Sequence, residues 1–301
     1  MTSAADEATG RPARLETQWA SARRRARQLE RLRRTVIFLL VLALALMFTF
    51  PLIWMAITSL KSIPEVYSYP VVWWPAVLRF GNYPRALAMF PFLRYAWNTL
   101  QITVPATIGV TASSSVVAYG FSRLRWKGRD LVFYLVLATL MIPQWVTLVP
   151  LFILFNNIGW VDTFKPLIVP AFFGDPFSIF LLRQFFLRQP QELMDAARVD
   201  GASHVRVFWQ ISLPLARPAL SVVALFAFIY NWTDFINPLI YLSDEKLYTL
   251  QLGLLDFFGN YYVNWPGFMA ASIVVLAPIT ALFFLTQKTF IEGITFTGLR
   301  G

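Results

Sequence analysis

Apolar residues in this chain are gathered into long blocks instead of being spread along it. Runs free of Asp, Glu, Lys and Arg occupy 35–60, 95–122, 131–161 and 257–287. Each is longer than the roughly 20 residues that cross a hydrocarbon core about 30 Å thick. Two further segments reach spanning length with an acidic interruption, 166–186 with Asp175 and 218–243 with Asp234. The pattern predicts an all-α polytopic membrane protein with six transmembrane helices. Irregular backbone is not tolerated against lipid, so Gly174-Asp175-Pro176 is expected in a protein-lined kink or near an interface. Gln189–Leu220, QPQELMDAARVDGASHVRVFWQISLPLARPAL, departs from the pattern: it is polar, helix-competent and set between apolar spans. Such an island is expected to meet a partner at the membrane surface.

The spans differ in kind. The first, rich in Leu and Ala, carries Pro51 as a tolerated kink. It lacks the short hydrophobic core and small-residue cleavage site of a signal peptide, so it reads as a retained helix. The second bears Thr99, Thr103, Thr107, Thr111 and Ser113-Ser114-Ser115. Small and hydroxyl side chains permit close packing and bonds between helices, so this span is expected to face protein or a pore. Pro143 and Pro150 in the third span and Pro278 in the sixth are places for bends, which suit a moving bundle. A carboxylate at a helix centre costs about 2.5–3.5 kcal/mol on insertion scales. Asp234, within NWTDFINPLIY, therefore points to a polar vestibule around Tyr230, Asn231, Asp234 and Asn237, with Pro238 ending or bending the helix. A solute path is one reading of these four residues, and a boundary cap or partner contact is the other. The connecting segments 61–94 and 244–266 carry Trp73, Trp74, Tyr261, Tyr262 and Trp265 as interfacial anchors. Neither is large enough for a separate binding domain.

A composition 57% hydrophobic and 14% charged lies outside the soluble globular norm. Lys and Arg test the span count independently, because they accumulate in short cytoplasmic segments. With both termini inside, 20 of 26 fall on that side: nine in the basic tail 1–34, four in 120–130, five in 183–217 and two in the C-terminal tail. This bias accounts for the net charge of +10 without nucleic acid as a partner. The basic tail is expected to meet anionic membrane lipid. Cysteine is absent, which removes disulfides and thiolate chemistry. His204 is the one histidine and has no second histidine with which to form a zinc site.

Within the island, Pro190 preorganises a first helical turn, and Gln191 and Glu192 place polar groups there. Leu193, Ala196, Ala197, Val205, Phe208 and Ile211 recur at helical spacing and are expected to form a buried face. Gly201 separates two short helices, and Pro214 and Pro218 lead into the next span. A rigid knob of this kind suits a protein that receives force from a soluble motor. The chain has no G-x-x-x-x-G-K-[ST] loop, so ATP hydrolysis is expected in another chain. A membrane enzyme is disfavoured, since no nucleophile, base and orienter can be placed together.

The segment DAARVDGASHVRVFWQISLP resembles the EAA signature of bacterial ATP-binding-cassette importer permeases. Asp195, Ala196, Ala197, Gly201, Ile211, Leu213 and Pro214 fall at the matching places, with Asp195 where the family usually has Glu. Over about residues 34–301 the chain is similar to MalG-type permeases of carbohydrate importers, through PLIWMAITSLKS, NTLQIT, IPQWVTLVPLFILF and FIEGITFTGLRG. The resemblance implies a six-span permease domain at 35–290, with a cytoplasmic coupling-helix loop at 187–217, and a cytoplasmic tail at 291–301 in the bacterial inner membrane. It implies pairing with a second permease subunit above two ATP-binding-cassette ATPase subunits, which hold ATP and Mg, and delivery of sugar by an external solute-binding protein. The chain itself is expected to hold no cofactor. ATPase coupling falls to Glu192, Asp195, Ala196, Ala197, Asp200, Gly201, Phe208, Ile211, Leu213 and Pro214, and a second ATPase contact to Glu292, Gly293, Gly298 and Arg300. The alternatives are a permease for peptides, polyamines or phosphonates, and a secondary carrier. The carrier would need paired broken helices with ionisable groups near midplane.

Overall fold

The computed structural model describes residues 6–259 and 262–295. The chain divides into two compact units at Thr58 and Ser59. The first is formed by helix α1 (Asp6–Ser59), unbroken for 54 residues. Ala, Arg, Glu and Leu are strong helix formers, so the stretch expected as a basic tail is helical from Asp6 and runs directly into the apolar block. Pro51 is accommodated without a break in the helix. Side chains from Gln28 to Ile53 are exposed, and from Thr35 onward this suits an apolar surrounding.

The second unit is built on α2 (Phe92–Arg123). It is followed by α3 (Arg129–Ala138), α4 (Gln144–Asn157), α5 (Pro176–Arg188), α6 (Gln191–Val199), α7 (His204–Val207), α8 (Arg217–Thr233), α9 (Ile236–Tyr241) and α10 (Trp265–Thr295). α5 and α8 both pack on α2. The small residues of the second span also admit the turn at Val169–Phe173: a Cβ on Gly109 would lie 2.8 Å from the Phe172 ring. Three of its hydroxyls also reach other elements, as expected, Ser113 Oγ donating to Ala171 O at 3.3 Å. Thr99 Oγ1 accepts from Leu250 N at 2.9 Å, and Ser114 Oγ accepts from Asp175 N at 3.1 Å. Thr111 and Ser115 bond back to their own helix instead.

Among the described residues, buried side chains form three clusters. Tyr119, Phe121, Phe133, Leu182, Phe186, Phe208 and Val223 fill the end of α2 that meets the 189–217 segment. Phe90, Tyr95, Trp232, Leu250 and Phe257 fill the other end, and Ile102, Phe155, Leu167 and Tyr241 pack beside the middle. At the far end Asn98 Nδ2 donates to the Lys246 and Tyr248 carbonyls, fastening the 244–250 loop to α2.

Among the described residues four helices are long and apolar enough to cross a membrane: Gln28–Ser59, Phe92–Arg123, Lys165–Arg188 and Trp265–Gln287. The number rises to six if each of two bent pairs counts as one span. One pair falls on the third predicted span, where Pro143 was expected to allow a bend. Arg129–Met141 and Gln144–Asn157 meet at 97°, because Pro143 drives Ile142 to an extended ψ of 115°. The other pair, His204–Leu215 and Arg217–Thr233, bends by 78° between Pro214 and Pro218. One predicted helix end also shifts. α8 stops at Thr233 and Asp234 itself is extended, with ψ 120°, so Asp234 lies beyond the helix and the break precedes Pro238. α10 starts at Trp265, close to the expected end of the 244–266 connection, where Asn264 Oδ1 accepts from Gly267 N as a cap. Gly174 has φ +92°, and Asp175 caps α5 through Ser178 N and Oγ at 2.7 and 2.6 Å. That break is the protein-lined kink expected there.

Candidate functional site

The 189–217 segment is a two-legged loop. Pro190 stands at the cap position one residue before α6, not inside its first turn. α6 closes when Asp200 N and Gly201 N donate to the carbonyls of Ala196 and Arg198, each at 3.0 Å. Gly201 adopts φ +81°, a left-handed conformation that glycine takes without steric cost. Ser203 then caps α7, with its Oγ accepting from Arg206 N at 3.3 Å. A π-type turn at Phe208–Ser212 leads through Leu213–Leu215 to α8.

The legs are stitched together by a buried polar pair. Gln189 Nε2 donates to Ser212 O at 2.9 Å, and Ser212 Oγ lies 3.5 Å from Met194 Sδ. Gln189, Met194, Val207, Phe208, Ser212 and Ala216 are the buried residues of the segment. The Phe208 ring centre lies 5.0 Å from that of Tyr119, whose hydroxyl donates to His204 O. This corrects the expected buried face. Of Leu193, Ala196, Ala197, Val205, Phe208 and Ile211, Phe208 alone is buried; Leu193, Ala196 and Val205 are exposed, and Ala197 and Ile211 are half-buried. The segment has apolar residues on two faces. Met194, Val207 and Phe208 hold it to the bundle, while Leu193, Val199, Val205 and Trp209 stand outward.

The remaining predicted residues divide accordingly. Glu192, Asp195, Asp200 and Gly201 are exposed, and Leu213 and Pro214 are half-buried. The Asp195 carboxylate accepts from Gln191 Nε2 at 3.0 Å and lies 4.0 Å from Arg198 Nη1. Arg198 also contacts His204 Nδ1 at 3.2 Å. Among the described residues no cluster could hold a metal ion. Glu292 and Gly293 fall in the last turns of α10, while Gly298 and Arg300 lie outside the described residues.

A second constellation surrounds a cavity of about 700 Å³. Tyr230, Asn231, Asp234 and Asn237 all line it. The break after Thr233 lets the Asp234 carboxylate turn onto α9, accepting from Asn237 N at 3.2 Å and from Asn237 Nδ2 at 2.8 Å. Asp175, Ser178 and Tyr241 line the same cavity and were not anticipated as site residues. Asp175 carried a legible signal, an acidic residue directly before a helix-starting proline. The lining includes two carboxylates, amides, hydroxyls and aromatic faces but no Lys, Arg or His.

Residues 107–295 match the family model described as binding-protein-dependent transport system inner membrane component. The chain is 30% identical to the arabinooligosaccharides transport system permease protein AraQ of Bacillus subtilis, over 89% of this chain and 96% of that one. It is 32% identical to the trehalose/maltose transport system permease protein MalG of Thermococcus litoralis, over 90% and 99% respectively. Identity to the diacetylchitobiose uptake system permease protein NgcG of Streptomyces coelicolor is also 32%, over 79% and 80%. In structure it is similar to a chain of a bacterial ABC transporter involved in the import of the acidic polysaccharide alginate, with a TM-score of 0.75 at 24% identity, covering 86% of this chain and 97% of that chain.

Proposed function

Because this chain belongs to the binding-protein-dependent transport system inner membrane component family, we propose that it forms half of the translocation path of an ATP-driven sugar importer. It is a permease subunit and not an enzyme; ATP hydrolysis takes place in a separate chain. Sugar as the solute is supported by the printed roles of AraQ, MalG and NgcG, which span arabinooligosaccharides, trehalose/maltose and diacetylchitobiose. The Asp234 cavity suits such solutes, because its carboxylates, amides and tyrosines offer hydrogen bonds and ring faces to hydroxylated rings.

The 189–217 loop carries the proposal. Two apolar faces on one short segment are what a helix needs when one face is held by its own bundle and the other docks on a soluble partner. In this reading the exposed edge of α6, with Glu192, Asp195, Ala196, Ala197, Asp200 and Gly201, rests on an ATPase subunit. Phe208, Ile211, Leu213 and Pro214 form the stem. A second permease subunit completes the path, two ATPase subunits holding ATP and Mg sit on the cytoplasmic side, and an external solute-binding protein delivers sugar. Both termini are cytoplasmic, and Glu292–Arg300 supplies a second ATPase contact. Closure of the ATPases turns the bundle outward-facing, and hydrolysis resets it.

The test is ATPase activity in proteoliposomes holding this chain, its permease and ATPase partners and the binding protein, with and without a panel of sugars. Stimulation by one loaded binding protein that requires this subunit is the expected result. An assembly indifferent to every sugar would remove carbohydrate from the reading, and failure to assemble with an ATPase would remove the coupling role of α6.

A further inference from the structure

The connection from α5 into α6 is slender. Gln189 and Pro190 are both extended, with ψ 139° and 128°, so two residues of non-helical backbone separate the coupling segment from the helix before it. Apart from the packing of Met194, Val207 and Phe208 on the bundle, this link leaves α6 free to swing. The stitches at Gln189–Ser212 and Met194–Ser212 do not prevent that, because they join the loop's two legs to each other.

Arg123, the last residue of α2, spans this gap. Its Nη1 donates to Gln191 Oε1 of α6 at 2.6 Å, and its Nη2 donates to Gln189 O at 2.6 Å and also to Phe186 O of α5. Both carbonyls belong to the end of α5, where the helix dipole is negative and intrahelical partners run out. A half-buried guanidinium therefore grips three elements at once. Only a planar fork of donors can do this, since the acceptors lie on different branches and a lysine offers one compact head. Arg183 of α5 makes the converse link, donating to Phe121 O at 3.3 Å while its guanidinium carbon stands 4.1 Å over the Phe133 ring of α3. Away from this junction α2 contributes Val110, and the start of α5 contributes Pro176, Phe177 and Ser178, to the Asp234 cavity.

We infer that Arg123 is a positioning residue for transport: it locks α6 to α2 and α5, so that displacement of α6 reaches the helices lining the cavity instead of being lost at the Gln189-Pro190 link. This rests on the reading of α6 as the ATPase-contacting helix. Positive charge near the cytoplasmic surface would explain an exposed arginine, but not one with three aimed acceptors on two other elements.

The test uses the assembled importer in proteoliposomes, measuring sugar transported per ATP hydrolysed. Arg123→Gln is expected to lower that ratio about tenfold, the scale on which residues within a coupling network act, while ATP hydrolysis without binding protein persists. Gln191→Ala, which removes one of the three bonds, is expected to lower it less, and Arg123→Lys to fall between wild type and Arg123→Gln. The chain has no native cysteine. A short bifunctional thiol reagent joining Arg123→Cys to Gln191→Cys, in partners stripped of reactive thiols, should restore the ratio, a rescue that a merely structural role does not predict. If Arg123→Gln fails to assemble, Gln191→Ala and the cross-linked pair decide. An unchanged ratio in the Arg123 and Gln191 variants, alongside uncoupling by Gly201→Asp, would overturn the inference and leave the α6 reading standing. If Gly201→Asp is also without effect, the α6 reading falls and takes the inference with it.

Discussion

At the scale of single residues, Gly201 and Glu65 give the sharpest expectations. A Cβ on Gly201 would meet nothing within 4 Å, so the cost of substitution there is conformational: about 1–2 kcal/mol for an L-residue held at φ +81°. Gly201→Ala should loosen the loop and Gly201→Asn less so, since Asn tolerates the left-handed region. Hydrogen exchange across 191–207 orders the two variants; equal protection in both would contradict the assignment of the cost to φ. Glu65 accepts from Ser62 N at 2.7 Å and Ala76 N at 3.0 Å, and these bonds lower its carboxyl to about 2. A depressed folded-state pKa stabilises above the unfolded value and is lost as pH falls toward the folded one. The stability difference between wild type and Glu65→Gln should therefore shrink between about pH 4.5 and 2, as read from thermal unfolding at a series of pH values. Both residues lay differently in the sequence. Gly201 was legible because it interrupts a helical pattern. Glu65 was not, because its partners are backbone groups whose approach depends on how the 61–79 loop folds.

At the scale of elements, α6 shows what periodicity reports and where it stops. The spacing of Leu193, Ala196, Ala197, Val205, Phe208 and Ile211 correctly announced helical structure around a glycine corner. It chose the wrong stripe as the buried one, because a helix with apolar residues on two faces gives no intrinsic sign of which belongs to its own fold. Met194 is the anchor that was overlooked, being 2% exposed against Ser212. Met194→Ala should cost about 2–5 kcal/mol, and the loss should be local. Proteolysis within 189–217 is expected to accelerate while α2 and α8 remain protected; global destabilisation would show that the loop is part of the main core. Helix ends were the other illegible feature. The charge-free run placed α2 well, but the 218–243 candidate, read on through Asp234, extended α8 past Thr233. Hydropathy does not register caps such as Asn264 or extended turns such as that at Asp234.

For the molecule as a whole, the fold class and the family were legible because both rest on long-range regularities: apolar blocks, the Lys and Arg bias, and motifs spread over most of the chain. The cavity was half legible. Asp234 stood out as a carboxylate in an apolar run, and its neighbours Tyr230, Asn231 and Asn237 followed, but Asp175 and Ser178 arrive from a part of the chain far from Asp234. If the cavity is part of the path, Asp234→Leu should reduce sugar flux severalfold while binding-protein stimulation of ATP hydrolysis continues, whereas Asp234→Asn, which keeps an acceptor for Asn237, should retain more flux. Paired flux and hydrolysis assays distinguish this from a coupling defect, in which both would fall together.

The right-angled meeting of α3 and α4 bears on how the protein is made. At 1.5 Å per residue, helices of 10 and 14 residues reach only about 15 and 21 Å, short of a bilayer about 30 Å thick. Neither leg alone crosses as a straight helix. The bent arrangement is then expected to be held by helices synthesised later, and nascent chains stalled after Asn157 should be more readily extracted there than full-length chains.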